Sequence, residues 1–173
     1  MDERLKIIVP PIIEEKSQKQ RKFSHQTECQ RCGQCCRSSS PMLLKEDYHL
    51  FISGKLNDIN TYTLRLGEPI LNRHEQELYI LPFEVIKIDE QNMACHFYEG
   101  SGECSIYESR PYQCKNFECW NNTPYQEGLE NIRLTRQDLF GDIPQIMEII
   151  KKHEEVCSYE TLERSIQTLK EGD

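Results

Sequence analysis

Apolar residues Ile143, Ile146, Met147 and Ile150 fall at i, i+3, i+4 and i+7, one face of a helix, with Pro144 in the first turn. Leu162, Ile166 and Leu169 repeat the stripe and predict a second helix. Both stripes read as core or partner-packing faces rather than cofactor contacts. Leu43 to Ile52 predicts a short helix closed by Ser53-Gly54. Leu78–Leu81 and Phe83–Ile88 predict strands, with a turn at Asp89–Asn92 and a tight reversal at Gly100 and Gly102. Between residues 55 and 75, Tyr62, Leu64, Leu66 and Ile70 settle on neither period. There are no repeats and no low-complexity run. The pattern predicts an α+β fold, with short antiparallel strands, an irregular core and flanking helices.

The opening apolar run, Ile7 to Ile13, is too short to span a bilayer and is broken by Pro10 and Pro11. It reads as a surface strand or arm, with no membrane insertion and no export signal, so a cytoplasmic location is expected. Three segments are expected: an arm over 1–27, a cysteine-bearing domain over 28–120, and a helical extension over 121–173. Hydrophobic residues make up 37% of the 173-residue chain and charged residues 29%, with a mean hydropathy of -0.70. So polar a chain has a thin core, which favours metal cross-links or docking into a larger assembly. The net charge of -8 argues against nucleic acid, whose phosphates a protein must neutralise. The basic patch Lys16, Lys19, Arg21 and Lys22 reads as a solvated arm or as a docking tail for an acidic partner.

Nine cysteines change the picture, because disulfides rarely persist in a reducing cytosol and metal is the usual alternative. Cys29, Cys32, Cys35 and Cys36 stand within eight residues, with no apolar company to suggest core packing. Pairs two residues apart can bend round one metal, and Gly33 allows the positive φ that turns backbone N–H groups toward sulfur. Cys29, Cys32 and Cys35 match the first three members of the bacterial ferredoxin run, but Ser39 stands at the fourth. The side chains of adjacent Cys35 and Cys36 are expected to point apart, which suits a multi-iron cluster or two separate centres. The remaining ligands are then Cys95, Cys104, Cys114 and Cys119, spaced by eight, nine and four residues.

These residues resemble the CxxCxxCC, or YkgJ-type, family of zinc- or iron-chelating cysteine-cluster proteins. The family's C-x2-C-G-x-CC opening stands at Cys29–Cys36, its C-x-F at Cys95–Phe97, and its C-x-I-Y-E-x-R-P-x-x-C at Cys104–Cys114. Pro41, Leu43, Glu46 and Asp47 are similar to its follow-on segment. The resemblance covers residues 28–120 and implies eight chelating cysteines, without a common reaction. One relative, flagellin lysine methylase, carries such a cluster beside methyl transfer. This chain shows no S-adenosylmethionine site, and Glu28 stands where a C-x3-C-x2-C spacing needs cysteine.

Arg110 is expected to support the centre, donating to sulfur or pairing with Glu108 and so offsetting thiolate charge. Pro111 fixes the backbone before Cys114. Phe97, Tyr98, Tyr107, Phe117 and Trp120 are expected to shield the metal from water. His25 and His96 read as surface imidazoles rather than ligands, and Cys157 as a buried small apolar residue or, alternatively, a ligand for a partner's cluster. No nucleophile–base pair stands out, and Gly100-Ser101-Gly102 lacks the lysine of a phosphate loop. Three classes follow. The first is an iron–sulfur protein, [4Fe-4S] by its spacing, in electron transfer or as accessory to a redox or metallocluster-handling complex, with protein partners. The second is a zinc-stapled interaction module. The third is an enzyme acting through the centre; no catalytic set favours it.

Overall fold

Short apolar runs punctuated by glycine, proline and asparagine give short elements. The structure, a computed structural model, describes residues 27–72, 77–120 and 129–171. All of the expected arm but Thr27, with its basic patch, apolar run and His25, lies outside the described residues. Helix α1 spans Gln34–Ser38 and α2 Tyr48–Ile52; strands follow as β1 Thr61–Leu64, β2 Pro69–Asn72, β3 Glu77–Ile80, β4 Val85–Ile88, β5 Glu90–Gln91 and β6 Ala94–Cys95. Then come α3 Tyr112–Asn116, α4 Leu129–Ile132, α5 Arg136–Phe140, α6 Pro144–Cys157 and α7 Tyr159–Glu171, with 3-10 turns at Lys45–Asp47 and Tyr107–Ser109. Three two-stranded sheets pair β1 with β4, β2 with β3 and β5 with β6, the last two antiparallel. This is the small α+β fold that the pattern predicted.

By contact the described chain forms two compact units, one of 64–84 and 135–171, the other of 27–63 and 85–134. In the second unit, Leu43 N–H donates to the Ile86 carbonyl at 2.8 Å, and Leu134 N–H to the Leu43 carbonyl at 2.9 Å. Leu43 and Leu44 are therefore extended, and the expected helix starts only at Lys45. Burial explains the difference. Both leucines are 0% exposed, packed with Leu50, Leu56, Ile86, Ile88 and Leu134 as the core, and an extended backbone meets hydrogen-bond partners on both sides. The expected turn at 89–92 moves to Asn92 and Met93, both at positive φ (51° and 65°), while Glu90 and Gln91 join a strand. Two successive positive φ values suit a tight hairpin, and asparagine accepts one with little strain.

In the first unit, Tyr79 and Leu81 are buried, and Arg136 joins Glu84 (2.7 Å) to Glu154 (2.9 Å). Thr135 caps α5, its hydroxyl accepting from Asp138 N–H. The α6 stripe is half-buried at Ile146, Met147 and Ile150 and open at Ile143. On α7 the stripe is solvent-exposed: Leu162 is 52%, Ile166 44% and Leu169 73% exposed. That face is not core in this chain. Among the described residues no helix is long and apolar enough to cross a membrane.

Candidate metal centre

All eight cysteines that sequence reasoning singled out belong to one compact unit. Gly33, at φ 70°, opens α1, and a Cβ there would run into the Tyr98 ring and lie 3.1 Å from Gly102 Cα. Gly102, at φ 93°, faces the Arg31 carbonyl so closely that a Cβ would strike its oxygen. These two glycines let the loop carrying Cys29 and Cys32 lie backbone to backbone on the 98–102 reversal. Arg31 N–H points at Cys29 Sγ, 3.4 Å away; the donor precedes Cys32 and is itself at positive φ (52°), so this contact is not one that Gly33 turns. Helix α1, which carries Cys35 and Cys36, packs against β6, which carries Cys95.

The second stretch is held more firmly. Cys95 pairs across the hairpin with Glu90, whose carboxylate accepts from both the backbone and the hydroxyl of buried Ser40 at 3.0 Å. Cys104 bridges to Tyr98. Cys114 rides on α3, which buried Pro111 starts. Asp47, 1% exposed, clasps that helix: its carboxylate accepts from Tyr112 N–H at 2.7 Å and Leu44 N–H at 2.9 Å. Beside it, Gln113 accepts from Met42 N–H at 2.5 Å. Burial lifts the Asp47 carboxyl above its ordinary value, and the two backbone donors oppose the shift. The family-like follow-on segment thus has a physical role, fastening the core to the turn that carries Cys114.

Arg110 and Glu108 do not pair. Glu108 meets Arg31 at 3.7 Å, while Arg110 donates to the Tyr107 carbonyl at 2.8 Å. The Tyr107 ring takes the guanidinium of Arg31 at 3.8 Å and of Arg110 at 4.0 Å, so one aromatic ties the first loop to the second stretch. Arg110 still bears on sulfur, because its charge favours the Cys104 thiolate against burial. Phe97, Tyr98, Tyr107 and Trp120 are half-buried in the unit, whereas Phe117 is 36% exposed and covers little. His96 sets Nδ1 3.1 Å from the Gln91 amide and its ring against Phe97. With Arg37 and Tyr98 it lines an open cleft of about 490 Å³ beside Cys95. Cys157 is exposed at the end of α6 rather than buried; the last turn of an exposed helix offers it no core.

All nine thiols are free. Cys35 Sγ and Cys36 Sγ stand 3.9 Å apart, closer than adjacent side chains pointing apart would allow, because α1 turns them onto one side. The hydrogen bond between the two sulfurs brings Cys35 down to about 6, while Cys36 is pushed up by that same bond and by burial. Burial pushes Cys95 up to about 11 and raises Cys114 and Cys104 as well. Charge on Cys35 is felt at Cys36, Cys95, Cys104, Cys114 and Cys119, so sulfurs from both stretches share one electrostatic neighbourhood. Cys119 also feels Cys32 and Cys29. Among the described residues no three His, Cys, Asp or Glu side chains stand close enough to hold one ion. The chain therefore gathers the donors, and drawing them onto a common point is left to binding.

The profile of one protein family, CxxCxxCC, described as "Putative zinc- or iron-chelating domain", matches residues 28–158. The chain belongs to that family. The match runs beyond the eight clustered cysteines through α6 and takes in Cys157. No curated protein and no solved structure matches the chain. The donor set agrees with the family's chemistry: free thiols in number, neutral where buried, suit thiophilic zinc or iron, which displaces their protons on binding.

Proposed function

We infer that this metal-binding protein holds iron–sulfur and moves electrons, or serves as an accessory subunit of a larger redox or metallocluster-handling complex. The observation that carries the reading is the gathering of eight free thiols from two remote stretches into one unit. Cys29, Cys32, Cys35, Cys36, Cys95, Cys104, Cys114 and Cys119 are the proposed ligands. A bound cluster would supply one-electron exchange. The chain's own work is to orient the sulfurs, to offset their charge through Arg110 near Cys104, and to limit water through Phe97, Tyr98 and Tyr107. On this reading the partners are proteins and the setting is a reducing cytoplasm; nucleic acid is disfavoured by the net charge of -8.

A second reading, zinc held structurally, draws on the same free thiols, since structural zinc takes four thiolates. Metal analysis with optical and EPR spectra of anaerobically purified protein separates the two. Brown protein with sulfide, iron and an EPR signal on reduction is expected. Colourless protein with stoichiometric zinc would overturn the iron–sulfur reading and establish the second.

A further inference from the structure

The thiols divide by exposure into two equal sets. Cys29, Cys32, Cys35 and Cys119 are exposed; Cys36, Cys95, Cys104 and Cys114 are half-buried or buried. The division follows the architecture. Cys29 and Cys32 come from the loop before α1 and Cys35 from α1 itself, in the spacing that iron–sulfur proteins use for three local ligands completed by a remote fourth. Cys119, beyond the end of α3, is exposed on the other stretch. Cys36 follows Cys35 on α1, its sulfur 3.9 Å away but half-buried where that of Cys35 is exposed. It is on the helix that packs against β6 and its buried Cys95. Cys104 is tied to that hairpin through its bridge to Tyr98, and Cys114 is fixed by the Asp47 clasp.

Resting on the thiolate–metal reading above, we propose that the chain holds two four-thiolate centres, an outer one on Cys29, Cys32, Cys35 and Cys119 and an inner one on Cys36, Cys95, Cys104 and Cys114. The Cys35–Cys36 peptide joins them. Either metal chemistry fits, since a zinc ion and a four-iron cluster each take four cysteines. The outer centre, on exposed sulfurs, exchanges and loses metal first; the inner one is retained.

The test uses full-length protein loaded with zinc alone, or separately with iron and sulfide, and treated with a chelator and iodoacetamide. Metal release is followed alongside mass-spectrometric mapping of alkylated cysteines. Loaded protein is expected to carry about two zinc ions or about eight iron atoms per chain. Release in two equal phases is expected, the first exposing Cys29, Cys32, Cys35 and Cys119 to alkylation and the second the other four. Cys119→Ser and Cys32→Ser should each retain about half the metal, with the inner four still protected. One phase of release with all eight cysteines alkylated together, or sets that mix the two groups, overturns the partition while leaving metal binding intact. No metal under either loading, with all eight alkylated at the outset, overturns the metal reading and the partition with it.

Discussion

The two cysteine-bearing stretches reach the same neighbourhood by different physics. Residues 95–114 are positioned by the fold: a hairpin strand, a bridge at Tyr98, a 3-10 turn, and a helix clasped by a buried carboxylate. Residues 29–36 are positioned by being laid on that frame, through glycine contacts and the Tyr107 ring, with their cysteines at the surface or half-buried. The 95–114 stretch is thus the rigid part and the 29–36 stretch the adjustable one. With the proposed ligands, metal binding would complete the order of the adjustable part, so its stability is expected to depend on the metal more than the frame's does.

The sharpest way to break this contrast is at Asp47. Asp47→Asn removes one acceptor oxygen and turns an amide donor toward a buried backbone N–H, which costs about 2–3 kcal/mol. Urea unfolding should show that loss, and the frame half should release metal together with the loop half. The penalty has a pH signature. Burial holds the Asp47 carboxyl above its ordinary 3.8, so the folded chain binds the proton more tightly than the unfolded chain. That contribution is full below 3.8 and is lost as pH rises through the folded-state value. The amide does not titrate, so with chelator present the gap between the two proteins should narrow from pH about 4 to 7. A gap that widens would contradict the account.

A smaller effect is expected from Gly102→Ala. Its φ of 93° and the facing Arg31 carbonyl make any side chain strained there, at roughly 1–2 kcal/mol from the backbone alone. The frame should hold while the loop lifts, read as faster alkylation of Cys29 and Cys32 with Cys95 unchanged. Equal acceleration at all three would erase the distinction between the halves. Smallest is Arg31→Ala, which removes a ring contact and an exposed ion pair whose side chains are 56% and 90% accessible. A change in thermal unfolding equivalent to at most about 1 kcal/mol is expected. A larger loss would mean that the Tyr107 ring, rather than the glycines, seats the loop.

The cysteine set and the family were legible in the sequence because ligand spacing is a local constraint that survives without knowledge of the fold. Gly33 and the Gly100–Gly102 reversal were legible for the same reason, since positive φ leaves a residue-level mark. The strands over 61–72 were not: each is four residues long, too short to show a period above its flanking polar residues. Leu43 and Leu44 looked helical because their extended form is imposed by Ile86 and Leu134, which are remote in sequence. Asp47 was noticed only as part of a resemblance. An acidic residue ahead of a short helix reads as surface until the distant Tyr112 amide supplies the reason to bury it. The meeting of Cys35 and Cys36 on one side of α1 was missed because neighbouring residues part in a strand, whereas a helix turns them only about 100°.

That closeness protects the chain while it waits for its metal. Consecutive Cα atoms lie about 3.8 Å apart, short of the roughly 4.4–6.8 Å that a crosslinked cysteine pair normally spans. Two sulfurs 3.9 Å from each other are thus poor candidates to consume one another in air. The pair therefore tends to stay in the reduced form that a thiophilic ion needs.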